Sequence, residues 1–385
     1  MARKAVTTLI FLILGVVQLC ATPKDSIPHH LSAELRPAYN AISHYALRGE
    51  YTDGDALESA LSFHARYAFS LPKSNPQSKI YPTAYQGLGL GVYTLYHNDF
   101  TGTPLVAYIL QGARLADFTE RLSLGYEWNL GASWGWQPNE AMNSKCNVFI
   151  SLSLPLSWHI AKGWELYVAP HFTHLSNADT HFSNSGANLF GLRLGATYHF
   201  NEDATKVDIR RYISPSEELE GSSFADHLTY DIILYGGWRA DRFTQDGHFY
   251  STDKAFPLGG AHFQPQYHLN DHFALGASLD LQVDSSLNLY AITSEDKETA
   301  TICRPTLWEQ TEIGLSVRGE IKAPIFTIGA SFGLNLNKRG YDMSRIYTQF
   351  SLKAFLTQRL FLYVGYRFNS HQYTHNMMYG LGIRL

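Results

Sequence analysis

The chain has 385 residues, 45% of them apolar and only 17% charged, with a formal charge of −4. That length suits one large or two ordinary domains. The composition is neither disordered nor collagen-like, and the weak negative charge offers no basic surface to a nucleic acid. Seven Trp, 24 Tyr, 22 Phe and 30 Gly with so few charges suit a β-rich protein, while a mean hydropathy of −0.18 excludes a multi-helix membrane protein.

Arg3 and Lys4 precede an apolar run from Ala5 to Leu19 and then Cys20-Ala21-Thr22-Pro23. This predicts a secretory signal peptide over residues 1–21, because the apolar run is short for a membrane span and ends at a small residue. The alternatives are a single membrane anchor and a lipoprotein cut before Cys20, for which Leu19 is a poor preceding residue. Cys146 and Cys303 stay in the mature chain; export would let them pair, and two unpaired loop thiols fit as well.

Beyond the leader the chain alternates with period 2, the signature of strands. From Leu122 to Trp136 one face carries Leu122, Leu124, Tyr126, Trp128, Leu130, Ala132, Trp134 and Trp136, against Ser123, Gly125, Glu127, Asn129, Gly131, Ser133 and Gly135. The same pattern recurs over Phe273–Val283, Phe326–Leu336 and Met377–Leu385. The runs match or exceed the about 9–11 residues that cross a bilayer, and Trp and Tyr mark their ends, as in an aromatic girdle. A closed barrel is the sheet that pairs every backbone group in lipid. The fold expected is therefore all-β, a transmembrane antiparallel β-barrel.

Short and long connections alternate, which places Ala161-Lys162 and Leu385 in the periplasm and the 178–186 loop outside. Fourteen strands follow Ala84, and residues 31–49 and 60–68 add up to two more. The charged stretch 201–226 breaks the rhythm. The expected organisation is a signal peptide (1–21), a half carrying the candidate site (22–200), a charged periplasmic linker (201–226) and a second set of strands (227–385). One barrel of 14–16 strands is the favoured architecture; two tandem eight-stranded barrels are the alternative.

Chemistry concentrates in Pro170-His171-Phe172-Thr173-His174-Leu175-Ser176-Asn177 and Asn184-Ser185-Gly186-Ala187-Asn188. His174 and Ser176 share a strand face with Trp164, Leu166, Val168, Pro170 and Phe172, the lipid-facing side. On the next strand Asn188 shares its face with Phe190, Leu192 and Leu194. Three polar groups on a lipid-facing surface are costly unless they bond one another or do work. Ser needs a base, His is the usual one, and a third group must fix the imidazole. Ser176 is the candidate nucleophile, His174 the base and Asn188 the orienting group, with Asp179 as a backup out in the loop. Phe172, Phe190 and Leu192 are the candidate acyl-chain contacts. The bland reading is a polar rim on a barrel strand.

Residues 84–200 resemble the outer-membrane lipid A 3-O-deacylases, especially the longer acyloxyacyl hydrolase forms. Tyr126-Glu127-Trp128-Asn129-Leu130-Gly131, Gly135-Trp136, His174-Leu175-Ser176-Asn177, Asn184-x-Gly186-x-Asn188 and Tyr198-His199-Phe200 carry the likeness. The resemblance implies a serine esterase removing an ester-linked acyl chain from lipid A in lipopolysaccharide, with His174 and Ser176 as base and nucleophile. The family's acid, a Glu in its best-known members, falls at Asn188. A Ser-His-Asn set at this spacing also resembles outer-membrane phospholipase A. That likeness implies a phospholipid substrate, a homodimer and calcium, for which Asp179, Ser183 and Asn184 offer oxygens; otherwise no cofactor or metal is expected. The rival to both enzymes is a pore or scaffold barrel. Arg193, Arg367 and Arg384 fall on lumen faces, where they would line a pore or bond carboxylates such as Glu127.

Overall fold

The computed structural model describes residues 27–40, 59–95, 101–138, 143–181, 186–200, 223–252, 255–293, 300–340, 342–369 and 375–385. The expected signal peptide, Ser183, Asn184 and residues 201–222 of the linker lie outside the described residues.

The first half contains β1 (His29–Asn40), β2 (Ser59–Ser70), β3 (Tyr85–Leu95), β4 (Gly102–Asp117), β5 (Leu122–Trp136), β6 (Cys146–Ser153), β7 (Leu156–Ala161), β8 (Trp164–Ser176) and β9 (Ala187–Phe200). Successive crossings pair antiparallel, and β1 pairs with β9, with His29 opposite Phe200 and Asn40 opposite Leu189, so the sheet closes. β6 and β7 are one crossing between β5 and β8, interrupted at Leu154-Pro155. Proline has no N–H for the ladder, which accounts for a break there.

The second half contains β10 (Leu228–Arg239), β11 (Arg242–Gln245), β12 (His248–Ser251), β13 (Phe256–His268), β14 (Phe273–Asp284), β15 (Tyr290–Thr293), β16 (Ala300–Cys303), β17 (Thr311–Lys322), β18 (Phe326–Asn335), β19 (Ile346–Phe355), β20 (Leu360–Asn369) and β21 (Asn376–Arg384). β10, β13, β14 and β17–β21 form a closed barrel sealed by β10 against β21, while β11–β12 and β15–β16 are hairpins in its long loops. The favoured single barrel of 14–16 strands is corrected here. The structure is the tandem alternative, two closed eight-stranded barrels, because β9 bonds back to β1 rather than onward to β10.

Outward faces are apolar: Leu88, Leu192 and Leu194 on the first barrel, Leu234, Val317 and Leu381 on the second, are all exposed. The lumens are polar and crossed by ion pairs, and that of the first barrel opens into a cavity of about 640 Å³ lined by residues such as His30, Arg66 and His199. Glu34 accepts from Arg36 (2.6 Å), Arg193 (2.8 Å) and Tyr167, and Glu127 accepts from Arg66 (2.5 Å) and Arg193 (2.9 Å). In the second barrel Asp231 joins Arg384 (2.7 Å) and Lys353 (2.6 Å), and Arg367 meets Glu312 at 3.2 Å. The three arginines read from the sequence as lumen residues are thus bonded to interior carboxylates. Cys146 and Cys303 are free thiols, one at the start of β6 and one on β16.

The barrels stand side by side. At the short-turn end the Tyr81 hydroxyl donates to the Asp271 carbonyl (2.7 Å), and its ring meets His272 edge-on at 5.0 Å. Trp128 packs edge-on at 5.1 Å against Phe326, the first residue of β18, with Leu352, Ile109 and Leu130 around them. Trp128 was expected to face lipid; it is 6% exposed because the second barrel covers it. Its Nε1–H donates to Gln111 Oε1 (2.6 Å), and Gln111 donates to the Tyr126 hydroxyl (2.9 Å). Amides on a barrel's outer wall would be costly against hydrocarbon; here they are sealed in the joint.

Candidate active site

β8 and β9 place the three polar residues. Their ladder sets His174 opposite Asn188 and Phe172 opposite Phe190. Side chains alternate across a strand, so Ser176 lies on the outward face with His174. His174 Nδ1 donates to Asn188 Oδ1 (2.8 Å), and the Ser176 hydroxyl donates to His174 Nε2 (2.9 Å). This proton assignment follows from the amide oxygen, which can only accept. The structure brings together all three residues picked out from the sequence. Ser176 is 8% exposed; His174 and Asn188 are half-buried.

The three candidate acyl contacts lie directly along the strands. Phe172 and Phe190 stack obliquely with centroids 4.8 Å apart, and Leu192, opposite Pro170, continues the apolar face. On the other flank β6 sets Ile150 opposite His174 and Leu152 opposite Phe172, both exposed. Sequence reasoning missed these two, although the alternation of Cys146–Ser153 carried the signal.

The backbone behind the nucleophile turns sharply. Thr180 N–H donates to the Asn177 carbonyl (3.2 Å), and the two residues between, Ala178 and Asp179, have φ of 55° and 61°. Both central residues in the left-handed region is the pattern of a type I′ turn. Asp179, the backup orienting group, does not reach this role: its carboxylate accepts from the Tyr366 hydroxyl (2.9 Å) on the second barrel. Gly186 closes the loop with φ +66°, and a Cβ there would sit 2.9 Å from His174 Cε1 and 3.1 Å from the Leu175 oxygen. Glycine takes that backbone without strain and leaves room for that approach.

The Tyr126–Gly131 stretch serves the frame rather than the site. Tyr126, Trp128 and Leu130 face the second barrel, and Glu127 with Asn129 belongs to the lumen network, where Asn129 Nδ2 donates to Glu127 (3.0 Å).

Closed antiparallel sheets with apolar exteriors and polar lumens define an outer-membrane β-barrel protein, here with a hydrogen-bonded Ser–His–Asn chain on its lipid-facing wall. Comparison with known families carries this further. Residues 44–197 match the family model described as Lipid A 3-O-deacylase (PagL), and residues 228–385 match that described as Acyloxyacyl hydrolase, C-terminal domain. The chain belongs to this lipid A deacylase family. No curated protein matches it. Among solved structures, Neisserial surface protein A is 12% identical, covering 45% of this chain and 97% of its own, with a TM-score of 0.29. The translocator domain of the autotransporter NalP from Neisseria meningitidis is 8% identical, covering 100% of this chain and 96% of its own, with a TM-score of 0.16.

Proposed function

We propose that the protein is a serine esterase that removes an ester-linked acyl chain from lipid A, with Ser176 as nucleophile, His174 as base and Asn188 as orienting group. The observation that carries the reading is the unbroken chain Ser176–His174–Asn188, with bonds of 2.9 and 2.8 Å, on a surface that faces lipid. The family supplies the substrate class, and the 3-O ester named in its description is the bond assigned.

Ser176 Oγ attacks the ester carbonyl carbon as its proton passes to His174 Nε2. The tetrahedral intermediate collapses, the sugar oxygen leaves and takes that proton, and the acyl chain stays on Ser176. A water then attacks, gives its proton to His174, and the fatty acid departs as Ser176 regains its hydrogen. Asn188 holds the tautomer in which Nε2 can accept. It carries no charge, so it stabilises the imidazolium less than a carboxylate would. Phe172, Phe190 and Leu192 offer the acyl chain an apolar track running away from the serine. Backbone N–H groups of the turn that follows Ser176 are the donors assigned to the oxyanion.

The test is mass spectrometry of lipid A from cells expressing wild type and Ser176→Ala. Loss of one acyl chain in wild type alone is expected. Unchanged lipid A in both, with the barrels folded, overturns the reading. Fatty acid released from phospholipid in its place would mark a phospholipase, and silence on both lipids a scaffold.

A further inference from the structure

We propose that Tyr366, on the second barrel, is a positioning residue for the esterase, holding the turn behind the nucleophile through Asp179. The inference rests on the reading of Ser176, His174 and Asn188 given above.

Ala178 and Asp179 are non-glycine residues in the left-handed region. Such residues relax unless their surroundings over-determine them, and Ala178 has no side-chain hydrogen bond with which to hold itself. Two bonds from the second barrel converge on its neighbour. The Tyr366 hydroxyl donates to Asp179 Oδ2 (2.9 Å), and the Ala240 N–H donates to the Asp179 carbonyl (2.8 Å). One fixes the side chain and the other the backbone, so the peptide planes on either side of Asp179 cannot rotate freely.

The donors are themselves anchored. Ala240 is 6% exposed and lies between Arg239 and Asp241. Arg239 binds Asp284 (2.7 Å) and Asp241 (3.2 Å), and the Thr252 hydroxyl donates to the Asp241 carbonyl (2.8 Å). Tyr366 points outward from β20 and packs edge-on against Phe368 at 4.6 Å. The clamp therefore grows out of the rigid rim of the second barrel and ends three residues after Ser176. This gives the second barrel a task in catalysis, although it carries none of the three reacting groups. If the turn relaxes, Ser176 Oγ shifts against His174 Nε2, and a shift of about 1 Å can cost on the order of a hundredfold in rate.

The experiment uses the full chain in lipid. Tyr366→Phe removes only the donated hydrogen bond. Expected are a kcat about ten- to a hundredfold lower, an unchanged KM, slower labelling of Ser176 by a fluorophosphonate, and unaltered heat-modifiable mobility of the folded barrels. Asp179→Asn, which keeps an acceptor oxygen and tolerates positive φ, is expected to retain most activity. Ala178→Gly added to Tyr366→Phe is expected to restore rate, because glycine adopts the turn without a clamp. Wild-type kcat and labelling in Tyr366→Phe would overturn the proposal, as would a loss explained by unfolded protein. An active Ser176→Ala would overturn the site reading itself. An inactive Ser176→Ala beside a fully active Tyr366→Phe would overturn only the clamp.

Discussion

At the scale of single residues the site depends on two features that are easily changed: the Asn188 oxygen and the lack of a Cβ at Gly186. Asn188→Leu removes the acceptor for His174 Nδ1 and is expected to lower turnover on the order of a hundredfold or more. Asn188→Asp keeps the geometry and adds the missing charge, and is expected to raise turnover; initial rates of fatty-acid release check both. Gly186→Ala forces a Cβ to 2.9 Å from the His174 ring at φ +66°. It is expected to cost about 1–2 kcal/mol of local strain and at least tenfold in rate while both barrels still fold, which lipid A mass spectrometry and gel mobility report together. His174, Ser176 and Asn188 were legible in the sequence because strand alternation and one hairpin suffice to place them. Tyr366 was not: it meets Asp179 across 187 residues, and no local pattern announces that contact. Asp179 was legible as a loop carboxylate near the serine, but its partner was not.

At the scale of elements, β5 has two working faces. Its inward side feeds the lumen network through Glu127, and its outward side builds the joint through Trp128 and Tyr126. Between apolar surfaces in lipid there is little hydrophobic drive, so packing and hydrogen bonds must supply the association. Trp128→Ala deletes the Phe326 contact across the joint and the donor to Gln111 that orients the indole, and is expected to weaken the joint by about 1–2 kcal/mol. Loss of cross-linking between cysteines placed on β5 and β18 measures it. A second joint element titrates. Burial, helped by Lys322 and opposed by Asp271, holds His272 below its ordinary value. The unfolded chain then binds more protons than the folded one as pH falls. The contribution of the Tyr81–His272 contact is thus present above about pH 6.5 and lost as pH drops toward the depressed value. NMR titration of labelled histidine should show His272 titrating below a free histidine. Strand identity and the inward or outward sense of each side chain were readable because the period is 2. The closure was not, because the edges of β1 and β10 look alike to β9, and long-range register alone decides which one it joins.

At the scale of the whole molecule, both lumens are crossed by ion pairs. Planar bilayers holding the wild-type protein are expected to show little conductance, and an open channel of porin size would contradict the ion-paired interior. Glu34→Ala leaves Arg36 and Arg193 facing each other without their shared carboxylate. Breaking a buried pair in this way is expected to destabilise the first barrel by about 3–5 kcal/mol, read as a lower urea midpoint. The double closure reaches further. Each barrel closes its own strand ladder, so among the described residues the two are joined by side-chain packing and a few loop hydrogen bonds, the one from the Ala240 N–H to the Asp179 carbonyl among them, and a single stretch of chain keeps them at high effective concentration. They form a tethered pair whose union competes with the surrounding lipids for the same flanks. On the clamp reading, leaflet thickness and crowding are expected to bear on the Tyr366–Asp179 bond, which makes membrane composition an expected effector of hydrolysis as well as the source of substrate.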